Sequence, residues 1–130
     1  MSEITVHVET DINPTESEEK VKNAVVKVFG NITTETSAAH IGSVLTADAH
    51  GMKTLENLRD LLRRDRVRDA ARRVFYAGSR GKSITFCLNK QVAFAGHVSF
   101  SQEAGESPLG PIKVIIESEN PRELIAWLTS

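Results

Sequence analysis

The sequence predicts an α+β domain, with a mostly antiparallel sheet and helices packed on one of its faces. Three observations predict it. Stretches such as 4–8 and 84–88 alternate apolar and polar residues with period two, the signature of half-buried strands. Other stretches place apolar residues at every third and fourth position, the spacing of one helical face. Strands come in consecutive blocks rather than singly between helices, which favours antiparallel pairing.

The elements follow in the order β-α-β-β-α-α-β-β-β-α. In residues 3–9, Ile4, Val6 and Val8 face one way and Thr5, His7 and Glu9 the other. In Asn13-Pro14-Thr15-Glu16-Ser17-Glu18, Thr15 and Glu18 have the spacing of a capping box. Val21, Ala24, Val25, Val28 and Phe29 then form a helical stripe that Gly30 ends. Residues 31–37 and 42–48 read as strands. Residues 53–64 and 66–77 read as helices, either separate or one bent at Asp65. Their stripes are Leu55, Leu58, Leu61, Leu62 and then Val67, Ala70, Ala71, Val74, Phe75, and Gly78 stops the run. Ile84, Phe86 and Leu88 alternate, Asn89-Lys90 suits a hairpin turn, and Val92, Phe94, Gly96, Val98 and Phe100 continue the alternation with Gly96 as a bulge. A polar loop over 101–110 ends at Pro108-Leu109-Gly110-Pro111, a rigid corner before a strand over 112–117. Asn120-Pro121-Arg122-Glu123 has an N-cap, a proline at the first position and an acid at the third, and so starts a last helix.

The 130 residues suit a single domain over 1–130, and 40% hydrophobic with 25% charged residues is ordinary globular composition. One cysteine, Cys87, cannot form an internal disulfide, which suits a reducing, cytoplasmic setting. No apolar run approaches the roughly 20 residues of a membrane helix, and no secretory leader is read at the start. The net charge of −1 hides a strong asymmetry. Residues 1–35 carry a balance of −4, residues 59–82 of +6 and residues 101–130 of −3.

The basic stretch is the candidate binding surface. Arg59, Arg63 and Arg66 lie along one flank of the first leucine stripe, and Arg68 and Arg72 along the next, with Tyr76 one turn further. Guanidinium groups four residues apart stand about 6 Å from each other, which suits successive phosphates. Arg80, Lys82 and Lys90 extend the set. The opposing expectation is internal neutralisation, because Asp60–Arg64, Asp65–Arg68 and Asp69–Arg73 have ion-pair spacing.

Ala70-Ala71-Arg72-Arg73, Leu88 to Gly96 and Ser107-Pro108-Leu109-Gly110-Pro111-Ile112, with Asn13-Pro14-Thr15-Glu16 ahead of its amphipathic helix, resemble a family of small archaeal proteins of uncharacterised activity. The resemblance implies a fold similar to the large-subunit ribosomal protein that contacts the small ribosomal RNA. By that fold analogy it also implies RNA binding.

Other motifs yield little. Gly81-Lys82-Ser83 ends like a phosphate loop, but Tyr76 stands where the first glycine is needed and the segment leads from helix into strand. Gly78-Ser79-Arg80-Gly81 has the Gly-x-x-Gly form of an RNA-clamping loop, without the two flanking helices of that motif. His7, His40, His50, His97 and Cys87 share no metal-ligand spacing. Ser43, Asp48 and His50 offer a triad only by chance of folding, and Cys87 alternates with core residues without a base beside it. No catalytic residue, metal or other cofactor is expected. The function read from the sequence is binding of structured RNA, ribosomal RNA among its forms, through phosphates. The alternative is a protein-interaction module, including a homodimer that pairs acidic ends with the basic middle.

Overall fold

The computed structural model describes residues 3–30, 32–101 and 110–130. The elements are β1 (Ile4–Ile12), α1 (Glu18–Phe29), β2 (Thr33–Ala38), β3 (Ser43–His50), α2 (Lys53–Arg64), α3 (Arg68–Ala77), β4 (Ser79–Arg80), β5 (Ser83–Asn89), α4 (Lys90–Phe94), β6 (Phe100–Ser101), β7 (Pro111–Ser118) and α5 (Pro121–Leu128). The strands form one antiparallel sheet in the order β2-β3-β1-β7-β5-β4, with β6 on β5. The α+β class and the order of the main elements match the sequence reading, and α2 and α3 are separate helices.

Register explains the layering. Val8 lies opposite Ala47 on one side and Val114 on the other, and Val114 lies opposite Phe86. These residues are almost fully buried under the helices. Residues one step along each strand face away. Phe75 of α3 anchors that helix to the sheet, with its ring centroid 4.8 Å from that of Phe86 and 5.7 Å from that of Phe100. Truncating such a ring to alanine costs about 3–5 kcal/mol. Gly78 ends α3 against β5 so closely that a Cβ there would sit 1.9 Å from the Thr85 carbonyl oxygen.

Two local readings are corrected. Residues 90–94 form a helix, where the sequence suggested a hairpin turn and a strand over 92–100. The Asn89 side chain accepts from the Val92 N–H at 3.0 Å, which caps α4. The Gly96 N–H donates to Ala93 O at 2.9 Å and the His97 N–H to Val92 O at 3.2 Å, so Gly96, with φ of 81°, closes a Schellman motif and not a bulge. Second, α1 is capped by Ser17, which accepts from the Lys20 N–H, instead of by Thr15 and Glu18. Glu16 folds back on Asn13, accepting from its N–H at 2.9 Å and from Nδ2 at 2.8 Å. The Pro108-Leu109 part of the predicted corner lies outside the described residues, while Pro111 opens β7.

Candidate nucleic-acid interface

The basic residues separate into four places. Arg59 and Arg63 on α2 and Arg72 on α3 reach the end of α5. Arg59 Nε donates to Trp127 O at 2.9 Å and its Nη2 to Ser130 Oγ at 2.7 Å, with the guanidinium carbon 5.1 Å from the Trp127 ring centroid. Arg63 Nε donates to Ser130 O at 3.1 Å and Arg72 Nη2 to Thr129 O at 3.2 Å. The last carbonyls of a helix lack internal donors and carry its negative dipole end, so three cations from neighbouring helices suit them. Helix α5 has no basic residue in its own last turn, the one sequence hint that donors must come from elsewhere.

The second place is the α2–α3 corner. Arg63, Arg66 and Arg68 line an open cleft of about 310 Å³ with Asp69 as the only carboxylate in its wall. All four residues are exposed. The corner is itself a Schellman motif. The Arg66 N–H donates to Arg63 O at 3.2 Å and the Val67 N–H to Leu62 O at 3.1 Å. Arg66 therefore occupies the position that Gly96 fills behind α4, and its φ is 57°. Among the described residues it is the one non-glycine residue with positive φ. Nothing in the sequence marked it, since a turn of this kind usually declares itself by glycine or asparagine.

Asp65 fixes the corner to the rest of the molecule. Its carboxylate accepts from the Val98 N–H at 2.8 Å and from Arg64 Nε at 3.1 Å, and His97 Nδ1 lies 3.1 Å from it. Arg64 also donates to the Gly96 carbonyl. Burial pushes the Asp65 carboxyl upward. The Val98 N–H, His97 and Arg64 outweigh that effect and hold it below its ordinary value. The predicted neutralisation is not what forms. Among the described residues, no ion pair joins Asp60 to Arg64, Asp65 to Arg68 or Asp69 to Arg73.

Arg80 and Lys82 make the third place, on the β4–β5 hairpin beyond the far end of α3, about 15 Å along the helix from the corner. Arg80 is exposed, and Lys82 Nζ pairs with Glu119 at 2.9 Å. The fourth is Lys90, and here the sequence reading is corrected. Lys90 is fully buried, with Nζ donating to Asp11 O at 2.6 Å and to Glu16 Oε1 at 3.2 Å. It sits in the first turn of α4, inside the fold, and cannot present its charge to a phosphate.

The uncovered face of the sheet has the opposite sign. Across β2, β3, β1, β7 and β5, one row reads Glu35, Thr46, Glu9, Lys113, Cys87 and the next Thr33, Asp48, His7, Ile115, Thr85. With Asp11 and Glu117, and with Arg80 opposite Ser83 in the Glu117 row, the described residues of this face hold five carboxylates against Lys113 and Arg80. Asp48 meets His7 Nδ1 at 2.7 Å, so the chance triad with Ser43 and His50 is replaced by a different pair. Cys87 is buried. Among the described residues no cluster of three or more metal-ligating groups occurs, and no helix is long and apolar enough to cross a membrane.

A family model described as RNA binding matches residues 5–118. The UPF0201 protein of Sulfurisphaera tokodaii is 39% identical over 122 residues, covering 94% of this chain and 84% of that protein. The UPF0201 protein of Pyrobaculum aerophilum is 40% identical over 119 residues, covering 91% and 83%. The crystal structure of a UPF0201 protein from Methanococcus jannaschii superposes with a TM-score of 0.87 at 28% identity, covering 97% of this chain and 99% of that one. By family model, sequence and fold together, this chain belongs to the UPF0201 family of archaeal proteins.

Proposed function

We propose that this chain is a non-catalytic RNA-binding protein whose contact surface is the α2–α3 corner. The observation that carries the reading is Arg66, an arginine held at a glycine position and flanked by Arg63 and Arg68 around one open cleft. A strained backbone residue persists where its surroundings fix it, and such residues gather at ligand-contacting sites. Three guanidinium groups facing a single carboxylate leave net positive charge there, and arginine bonds phosphate in a bidentate manner. Arg72 extends the surface along α3, while Arg80 lies in the Glu117 row of the uncovered face and Lys82 is paired with Glu119. The RNA-binding description of the family model supports the same partner. Structured RNA, ribosomal RNA among its forms, is the class proposed, and kinship to a ribosomal-protein fold belongs to this proposal.

The test is fluorescence polarisation with a labelled RNA hairpin at about 50 and 200 mM salt. Binding is expected at the lower concentration and should weaken steeply at the higher. The Arg66→Glu/Arg68→Glu double variant should lose at least about tenfold in affinity. Glu9→Gln, on the opposite face, should not weaken binding. Absence of binding at low salt, or affinity unmoved by the charge reversal, overturns the reading.

A further inference from the structure

Strand β2 closes one end of the sheet, and no described strand lies beyond it. Two hydrogen bonds fix which of its backbone groups point outward. The Gly51 N–H donates to Ile4 O at 2.8 Å. The odd-numbered residues of β3 therefore bond β1, and Val44, Thr46 and Asp48 turn to their β2 partners Ser37, Glu35 and Thr33. The Ala39 N–H on Gly42 O at 3.2 Å gives the same parity from the hairpin end. The N–H and C=O groups of Thr34, Thr36 and Ala38 consequently face away from the sheet. All six residues of β2 are exposed apart from half-buried Thr34.

An open edge of this kind is a template for another strand, and sheet proteins blunt such edges with proline, lysine, bulges, short strands or a covering segment. The other end of this sheet follows that rule, since β4 is two residues long. Strand β2, Thr-Thr-Glu-Thr-Ser-Ala, has no proline and no basic residue. Its β-branched threonines favour pairing.

We propose that β2 pairs antiparallel with β2 of a second copy, about a two-fold axis at Thr36, joining two sheets into one. The sequence is self-complementary in that register. Thr36 faces Thr36, each Thr34 faces Ala38, and each Glu35 faces Ser37, whose hydroxyl can donate to the carboxylate. The outward groups of all three residues then find partners, giving about six ladder hydrogen bonds. An axis one residue earlier would set the two Glu35 carboxylates face to face. A two-fold contact uses the same patch on both copies, so one self-compatible strand suffices. Contact along a single edge is small, so the dimer forms reversibly with concentration. The inference is independent of RNA binding.

Two experiments test it. Sedimentation equilibrium of the full chain should show twice the monomer mass as concentration rises. Thr36→Pro removes only an outward N–H, which an edge strand tolerates. It should leave the circular dichroism melt nearly unchanged and abolish the dimer. Oxidative crosslinking tests the register without depending on that variant. Paired Thr36 Cα atoms would stand about 5.5 Å apart, within disulfide range, so Thr36→Cys should crosslink. The Thr34 pair would be more than about 12 Å apart and Thr34→Cys should not. Buried Cys87 is common to both variants. A chain that stays monomeric at every concentration, leaving the edge to a strand of some other protein, overturns the proposal. Crosslinking at 34 as fast as at 36 overturns it as well.

Discussion

At the turn between α2 and α3, Arg66 adopts a conformation that costs an L-residue with a Cβ about 1–2 kcal/mol. The chain shows that it can end a helix without that cost, because Gly96 closes the same motif behind α4. The cost at Arg66 is offset by the packing around it. Leu62, which accepts the Val67 N–H, belongs to the core, half-buried Val67 packs against it, and Asp65 is clamped to Val98. Replacing Arg66 with glycine keeps the turn and removes the strain, although glycine gives back roughly 0.5–1 kcal/mol through unfolded-chain entropy. Arg66→Gly is therefore expected to raise stability by up to about 1 kcal/mol in urea denaturation while weakening RNA binding. A variant that is destabilised would mean the arginine side chain holds the corner together, and its contribution would then be structural.

Among the elements, α4 separates what the sequence displays from what it conceals. The long elements were legible because each buries one face: the leucine stripe of α2 and the alternating strands β1 and β5 have periods that permit one reading. The stretch 90–100 permitted two. Val92, Phe94 and Gly96 fit a strand, and the helical reading depended on Asn89 as a cap and Gly96 as a terminator, signals weaker than alternation. Moreover, the largest side chain α4 buries is a lysine, which no hydrophobic pattern can announce. Lys90 ties three segments together by bonding the carbonyl of Asp11 in β1 and the carboxylate of Glu16 before α1. Both partners are buried, so removing one leaves an uncompensated charge. Lys90→Met is expected to cost about 3–5 kcal/mol in chemical denaturation, and adding Glu16→Gln should restore part of the loss. A loss below about 1 kcal/mol, as for an exposed pair, would show that Lys90 is solvated in solution. The arginines were legible as a charge cluster but not as separate sites, since linear spacing cannot show that the end of α5 arrives between Arg59 and Arg72.

For the molecule as a whole, the division of charge sets how RNA would approach under the proposed function. The uncovered sheet face, with Glu9, Asp11, Glu35, Asp48 and Glu117, repels a polyanion, while the α2–α3 corner attracts it. Attraction and repulsion of this kind steer approach over roughly a Debye length, about 10 Å at 0.1 M salt, so the helix side should lead. The number of arginines engaged can be read from salt dependence. Each neutralised phosphate contributes about −0.7 to −0.9 to the slope of log K against log salt. If Arg63, Arg66 and Arg68 supply the contacts, the slope should lie near about −2 to −3, and Arg68→Gln should make it shallower by about one. Glu9→Gln should raise affinity slightly without changing the slope, because it alters the long-range field and not the count of contacts. A wild-type slope steeper than about −5 would require Arg72, Lys82 and Arg80 as well, and with them a footprint running along α3 and around the β4–β5 hairpin onto the uncovered face.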